Sequence, residues 1–566
     1  MNYDLVIRGG TVVDGSGLGR YRADVAVRGD RIARIGRVQE RGKREIDADG
    51  QVVTPGFIDG HTHMDAQVFW DPIGSSSCWH GITSVVMGNC GFTLAPVKPD
   101  RHDLVLRNLE RAEDIPAPVL AQGVKWSWEH FRDYLSAVDR TPKAINYTAS
   151  IGHSALRTWA MGEGAFERDA TERELQAMQA EIRDALDAGA FGFSTSRNNL
   201  HETSDDRPVA SRRAPWSEVC ALVQTVADHG SGYFQIAHEG SVRGSDEAAH
   251  NEYLQRLRAL GVQTGVPMMF GVTATKEGFG HLKFIDDSVA AGARMWGLSR
   301  CRDISGVLSF HTTLPFDKLP AWKALRSLPV EEQLRQLSQP EMRQRMVMAA
   351  SEGNYGETIG IGPRKADYDR VYVYRRTTGS NPTVAEEARA RGMDPADLMI
   401  DLALQTHGEV FFIQPMERQL TENLIQFLKH PRAIMTFSDS GAHVSQISDC
   451  SIQTQLLGEF VRERGTLTLE EGVRMITFNP AMAFSITDRG LVREGMIADL
   501  NVFDPATIAP EIPALVRDLP TGAQRLIQKA RGISATIVGG AVTFENGQHT
   551  GALNGQVLRS RSVVAA

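Results

Sequence analysis

The chain has 566 residues, of which 42% are hydrophobic and 23% charged, a balance that excludes a disordered chain, a collagen-like repeat and a small disulfide-rich fold. Its 61 basic and 69 acidic residues give a net charge of −8 without a basic cluster, so the sequence lacks the electrostatic signature of nucleic-acid or anionic-membrane binding. The expected partner is therefore a small molecule.

The five cysteines are too few and too scattered for a disulfide framework, and no charged segment followed by an apolar one opens the sequence. No apolar run reaches the roughly 18 residues that a membrane helix needs. We expect a cytoplasmic protein that does not enter a membrane. The sequence does not fix the oligomeric state, and a homo-oligomer is left open.

Both ends of the chain have the pattern of small antiparallel strands. In the first fifty residues, short alternating apolar segments are separated by glycine turns such as Gly9-Gly10 and Gly29-Asp30. The same pattern returns from Ala498 onwards, where Gly539-Gly540 forms a tight hairpin turn. Two β-rich ends therefore flank a different central region.

In the central region, apolar runs alternate with amphipathic helical stretches, which is typical of parallel strands joined by helices. About eight such units predict a (β/α)₈ barrel. Helices are clearest at 171–188, which a capping box begins, and at 469–478, which Pro480 is expected to end. The charged, poorly periodic segment 301–369 is predicted to be an insertion or lid. Candidate strands are Gly56–Ile58, Ser84–Met87, Tyr147–Ile151, Phe191–Ser194, Tyr233–Ala237, Pro267–Val272, Met295–Leu298, Val410–Ile413 and Ile434–Phe437.

The first candidate strand ends in His61-Thr62-His63. Residues two apart on a strand point to the same face, so both imidazoles would project from the carboxyl end of the strand, where barrel active sites lie. Imidazole is the commonest metal ligand in proteins. The pair is therefore either a metal site or two surface histidines at a strand edge.

Three further strands end in a side chain that can bind a metal. These side chains are Cys90 in Gly-Asn-Cys-Gly, His238 and Asp439. A thiolate is a strong zinc ligand, and an aspartate at a strand end can bind a metal or carry a proton. Singly, each has an ordinary structural reading as a buried cysteine, a core histidine or a helix N-cap. Their joint occurrence at one predicted face favours a metal site.

Across nearly its whole length the sequence resembles the amidohydrolase superfamily and, within it, the D-aminoacylase (N-acyl-D-amino-acid deacylase) family. The cysteine after Gly-Asn distinguishes the D-aminoacylase family from many superfamily relatives, which bridge two metals with a carboxylated lysine instead. The motifs that carry the resemblance are Asp4–Gly15, Pro55–Asp65, Met87–Phe92, Gly152–Arg157, Gly189–Ser196, Ser438–His443, Asp488–Gly490 and Gly495–Leu500.

The resemblance implies a metal-bearing barrel over residues 55–484, wrapped by a composite β-sandwich that residues 1–54 and 485–566 form together. It also implies one or two Zn²⁺ ions and hydrolysis of the amide bond of N-acyl-D-amino acids. The implied metal ligands are His61, His63, Cys90, His238 and Asp439. One departure stands out, because the family commonly has a further metal histidine where this chain reads Thr264–Val272. Glu239 or a water would then fill that position, or the metal would lie nearer His61 and His63.

In the expected mechanism, Asp439 takes a proton from the attacking water and passes it to the leaving amine. His443 and His153 either stabilise the developing oxyanion or are ordinary loop histidines. Arg157 and Arg197 either hold a substrate carboxylate or lie at the surface. Two rival functions stay open: an amidohydrolase acting on a cyclic amide, a lactone or a xenobiotic amide, and a metal-free binding protein.

Overall fold

The computed structural model describes residues 3–239, 246–356, 363–417, 419, 422–445 and 449–560. Within them, eight strand positions form a parallel barrel, in which position 8 pairs with position 1 through Phe437 and His61. The predicted (β/α)₈ barrel is confirmed. Barrel strands 1 to 8 are, in chain order, Phe57–Asp59 with His61–Thr62, Ile82–Met87, Asn146–Ala149 with Ile151–Gly152, Gly192–Ser196, Tyr233–Ala237, Met268–Gly271, Met295–Ser299, and Ala433–Met435 with Phe437–Ser440.

The barrel strands are buried almost throughout, as expected of parallel strands that helices cover on the outside. The helix Glu172–Asp187 begins with the predicted capping box, formed by Thr171 and Glu174. The predicted helix 469–478 is two helices, because Pro480 lies in the first turn of a new helix instead of simply ending the previous one. The helices around the barrel are His102–Glu110, Ala117–Gly123, Phe131–Arg140, His153–Met161, Glu172–Asp187, Trp216–His229, Glu247–Thr264, Lys276–Ala290, Leu424–Leu428, Ile452–Gln455, the π-helix Leu456–Glu463, Leu469–Ile476 and Phe478–Ala483.

The two chain ends meet in one nine-stranded sheet, as the resemblance implied. Val52–Pro55 pairs antiparallel with Leu500–Phe503 and so joins the two ends. Alternate apolar side chains of the sheet pack into their own core, which includes Ile7, Val25 and Val502. The strands are Tyr3–Val12, Tyr21–Arg28, Arg31–Gly36, Gly42–Asp47, Val52–Pro55, Leu500–Phe503, Ile533–Val538, Ala541–Glu545 and Gln548–His549. Between Phe503 and Ile533 the chain also forms short strands at Ala509–Pro510, Ala514–Val516, Arg525–Ile527 and Ala530–Arg531.

A long inserted segment separates barrel strands 7 and 8. It has its own hydrophobic core, from Leu308 to Phe412, so this packed unit extends beyond the predicted end at Asp369. The candidate strand Val410–Ile413 was wrongly placed in the series of barrel strands. The structure has Phe412–Glu417, which pairs antiparallel inside the insertion. The elements of the insertion are Ile304–Leu308, Pro320–Arg326, Val330–Leu337, Pro340–Glu352, Tyr372–Val373, Val384–Arg391, Pro395–Gln405 and Phe412–Glu417.

In the part of the chain that the structure describes, no helix has both the length and the apolar character needed to cross a membrane.

Candidate metal centre

His61 and His63 lie at the carboxyl end of barrel strand 1, and both side chains are buried. Because residues two apart in a strand share a face, the rings project together, with their centroids 5.4 Å apart. The structure thus brings the two histidines of the sequence motif to one position.

Cys90 follows barrel strand 2 in a turn that requires a glycine at position 88. A Cβ on Gly88, whose φ is +78°, would lie 2.0 Å from the backbone oxygen of Ser150. Cys90 itself has a left-handed backbone, with a φ of +54°, and its N–H donates to Oε1 of Gln235 at 2.9 Å. This turn places the Cys90 Sγ 3.5 Å from Nε2 of His61.

Asp439 reaches the same position from barrel strand 8. Its Oδ1 lies 3.3 Å from Nε2 of His61 and 3.6 Å from Nε2 of His63. Its other carboxylate oxygen faces the buried guanidinium of Arg300, at 3.4 Å. Barrel strands 1, 2 and 8 therefore deliver nitrogen, sulfur and oxygen donors to one point.

Two further donors, which no sequence motif identified, belong to the same cluster. Glu113 follows the helix His102–Glu110, and its Oε2 lies 3.4 Å from Nε2 of His63. His201 lies in the loop after barrel strand 4, and its Nδ1 hydrogen-bonds with the Ser196 hydroxyl at 2.7 Å. The position of His201 beyond the carboxyl end of a barrel strand was a usable signal. No sequence signal pointed to Glu113, because it stands in a charged run that is typical of a solvated helix end.

Burial and neighbouring charges shift the pKa values of His61 and His63 in opposite directions. Burial lowers the pKa of His61 to about 3, which leaves its imidazole neutral. Burial also opposes charge on His63, but Glu113, Asp439 and Cys90 together raise its pKa well above the ordinary value. For Asp439, the histidines and Arg300 outweigh burial and hold the pKa below its usual range. The surrounding acidic groups thus favour positive charge at His63, where a cation would also be stabilised.

The donors form two overlapping sets that fit a divalent metal. In the first set, donor atoms of His61, His63 and Cys90 lie within 4.8 Å of one another, and in the second those of Cys90, Glu113 and His201 do so. Among the described residues, Oε1 of buried Glu113 has no hydrogen-bond partner. Burial raises the pKa of the Cys90 thiol to about 11, a cost that a bound cation would offset. Imidazole, thiolate and carboxylate are the ligands that zinc prefers.

His238 lies on the wall of the same cavity but outside both donor sets. Its Nδ1 is 2.9 Å from the Tyr253 hydroxyl, and its ring stacks on His281 with centroids 5.0 Å apart. Glu239, the predicted substitute ligand, accepts hydrogen bonds from Arg197 and Arg256 at 3.1 and 2.9 Å. His238 therefore stays a predicted ligand that faces the cavity, while the carboxylate of Glu239 is held by two arginines.

The structure separates the two histidines that were candidates for oxyanion stabilisation. His443 lines the cavity, and its Nε2 lies 3.9 Å from Oε2 of Glu113. His153 is fully buried in a hydrogen-bonded group, with Nδ1 2.8 Å from the Thr195 hydroxyl and Nε2 2.9 Å from Glu218. Of the two, His443 alone is placed where a substrate could reach it.

Neither of the two candidate carboxylate-binding arginines lines the cavity. Arg157 is fully buried, and its Nη1 donates to both carboxylate oxygens of Glu218 at 2.5 and 2.7 Å. Arg197 pairs with Glu239 and donates to the backbone oxygen of Ala214. Both guanidinium groups are engaged by the protein and neither lines the cavity, so these contacts give no support to a carboxylate-binding role.

The donor cluster opens into a cavity of about 850 Å³. Part of its wall comes from the insertion, which contributes the cationic side chains of Lys318 and Arg364. A cavity of this size accommodates a drug-sized molecule.

Comparisons with known proteins agree with this architecture. The sequence pattern of the Amidohydrolase family matches residues 44–544. The chain is 29% identical to D-aminoacylase of Alcaligenes xylosoxydans xylosoxydans, over 98% of this chain and 97% of that protein. It is 30% identical to N-acyl-D-aspartate deacylase of the same organism, over 98% and 95% of the two chains. A solved structure of D-aminoacylase, described as having a binuclear metal center, superposes with a TM-score of 0.65 at 26% identity and covers 99% of this chain and 100% of that chain.

Proposed function

The chain belongs to the amidohydrolase family, and on that premise we propose that it is a zinc-dependent hydrolase of N-acyl-D-amino acids. The observation that carries the proposal is the convergence of His61, His63, Cys90 and Asp439 at the carboxyl end of the barrel. The similarity to D-aminoacylase and to N-acyl-D-aspartate deacylase over almost the full chain supports this substrate class.

The proposed ligands are His61, His63 and Cys90, with Asp439 beside them, and a second ion would use Cys90, Glu113 and His201. A zinc ion in such a site would lower the pKa of bound water to about 7 and polarise a carbonyl group. Neutral His61 is already in the form that binds a metal, whereas His63 would give up its proton. The Cys90 thiol would also lose its proton on binding a metal.

The protein's own groups then manage the protons. Asp439 is the proposed acid–base group, because it combines access to the cavity with a carboxylate held between histidines and Arg300. It would accept a proton from the attacking water and return it to the leaving amine, which otherwise departs as a poor leaving group. The imidazole of His443 lies on the same cavity wall and is the proposed donor to the carbonyl oxygen.

We assign the substrate carboxylate to the cationic groups on the insertion side of the cavity. Lys318 and Arg364 line the cavity, whereas Arg157 and Arg197 do not. Arg364→Met is expected to raise KM for an N-acyl-amino acid at least tenfold, about the effect of losing one charged hydrogen bond. Arg375→Met is the matched control, since Arg375 pairs with Glu387 in the same insertion, outside the cavity. An unchanged KM for Arg364→Met would contradict the assignment.

The deciding experiment is a panel of N-acetyl-D- and N-acetyl-L-amino acids with apolar and acidic side chains, assayed with zinc-loaded protein. If the substrate carboxylate and acyl carbonyl are each held at a fixed point, the chirality of the α-carbon determines where the scissile bond lies. A misplacement of about 1 Å lowers the rate on the order of 100-fold. We therefore expect at least that preference for the D-forms in kcat/KM. Equal rates for both hands would refute the substrate assignment. Turnover of cyclic amides or lactones alone would move the chain to another amidohydrolase activity.

We also infer that the chain works in a reducing compartment, in line with the expected cytoplasmic location. All five cysteines are free thiols, and four of them are buried. Disulfides are rare where thiols are kept reduced. Cell fractionation tests the location, and gel filtration with light scattering tests whether the chain forms a homo-oligomer.

A further inference from the structure

A second group of metal-binding side chains lies on the helices that follow barrel strands 5 and 6. His250 belongs to the helix Glu247–Thr264, and Glu277 and His281 belong to the helix Lys276–Ala290. One ligand atom from each of the three residues lies within 4.8 Å of the others. Residues four apart on a helix share a face, which brings Glu277 and His281 together towards His250.

The arrangement leaves the central histidine incompletely satisfied. His281 is 5% exposed, and within the described residues its Nε2 has no hydrogen-bond partner. Oε1 of Glu277 lies 3.9 Å from that nitrogen, which is too far for a hydrogen bond. The His250 ring lies nearly parallel to the His281 ring, with centroids 5.6 Å apart and an interplanar angle of 19°. A buried ring nitrogen thus points into a group of donors that do not satisfy it.

We propose that His250, Glu277 and His281 bind a divalent transition-metal ion such as zinc, at a site separate from the metal centre around Cys90. Two imidazoles and one carboxylate form a set of three protein ligands that leaves a position open on zinc. Imidazole donors favour zinc, copper and nickel over magnesium and calcium. The site shares no residue with the two donor sets around Cys90, so it does not depend on the proposed hydrolysis.

This ion should exchange more readily than an ion held by Cys90. Glu277 is exposed, His250 is half-buried, and Glu277 and His281 line the cavity, so water and chelators can reach the site. His61, His63 and Cys90 are all buried, and a thiolate holds zinc more firmly than a carboxylate does. A mild chelator should therefore remove the ion at His281 first.

The test counts zinc per chain in the full-length protein after equilibrium dialysis against buffers of fixed free Zn²⁺. His250→Ala and Glu277→Gln alter side chains that are not fully buried, so both variants should fold, which circular dichroism checks. His430→Ala is the matched control, because His430 pairs with Asp286 at 3.1 Å outside the three donor groups. We expect each of the two variants to bind one equivalent fewer than the wild type and the control.

A second comparison locates the lost ion. Cys90→Ala should still bind one equivalent of zinc, and His250→Ala in that background should remove it. The same zinc content in wild type, His250→Ala and Glu277→Gln would overturn the proposal. It would also be overturned if Cys90→Ala alone removed all zinc. Failure of the hydrolysis assays would leave these binding results unaffected, so the two proposals are tested separately.

Discussion

Glu218→Gln is expected to destabilise the protein by about 3–5 kcal/mol, because it leaves a guanidinium buried without its counter-ion. Arg157 is fully buried, and its Nη1 lies 2.5 and 2.7 Å from the two oxygens of Glu218. His153 approaches the same carboxylate at 2.9 Å. Neither Arg157 nor His153 lines the cavity, so KM for any substrate should change little.

The lowered pKa of Glu218 reflects the same stabilisation of its charged form. Burial opposes ionisation, but His153 and Arg157 together lower this pKa from 4.5 to about 2. Such a shift corresponds to about 3 kcal/mol, at ~1.36 kcal/mol per pKa unit. Because the folded-state pKa is depressed, this stabilisation is complete above about pH 4.5 and is lost as the pH falls towards about 2. A glutamine at this position does not titrate, so the variant should lack this component of acid sensitivity.

The assay is urea unfolding of wild type and variant at pH 7 and at intervals down to about pH 3. Asp49→Asn is the control, because the Asp49–Arg22 pair is 66% and 68% exposed at its side chains and such pairs contribute about 1 kcal/mol or less. A loss for Glu218→Gln no larger than for this control would refute the reasoning. An Arg157→Met variant with raised KM and unchanged unfolding would restore Arg157 as a substrate ligand.

Cys90→Ala is expected to lose zinc that Cys220→Ala keeps, and equal zinc in both by elemental analysis would make Cys90 a core residue. Asp439→Asn should keep the fold but lower kcat about 100-fold or more, the scale of a lost acid–base group; a near-native kcat would assign the proton transfer to another group. Gly88→Ala should lower the melting temperature, since the new Cβ would meet the Ser150 backbone oxygen at 2.0 Å in a left-handed turn. An unchanged melting temperature would contradict that account.

The sequence predicted the parts of the site that depend on strand geometry alone. His61 and His63 could be placed together because side chains alternate along a strand, and Asp439 could be placed near them because barrel strands end at one face. The barrel itself followed from the alternation of apolar runs and helices. These features depend on periodicity, which a single sequence displays directly.

The sequence did not predict features that depend on which charged groups meet through loops. Arg157 has the right chemistry to hold a carboxylate, but its partner is Glu218, 61 residues away. Glu113 reaches His63 from a loop whose path no local pattern fixes. The strand near residue 412 had the same apolar character as a barrel strand, and only its antiparallel partners inside the insertion distinguish it.

Several residues at the cavity have a backbone conformation that no sequence periodicity displays. Cys90, Asp114, Asp439 and His443 are not glycines, yet their φ angles are +54°, +52°, +58° and +50°. Such conformations cost on the order of 1 kcal/mol each and persist only where surrounding contacts hold them. For His443 that contact is a hydrogen bond from its N–H to the backbone oxygen of Glu113, at 2.6 Å. The regular barrel therefore aligns the two histidines, while left-handed residues after barrel strand 2 and within barrel strand 8 direct the Cys90 thiol and the Asp439 carboxylate towards them.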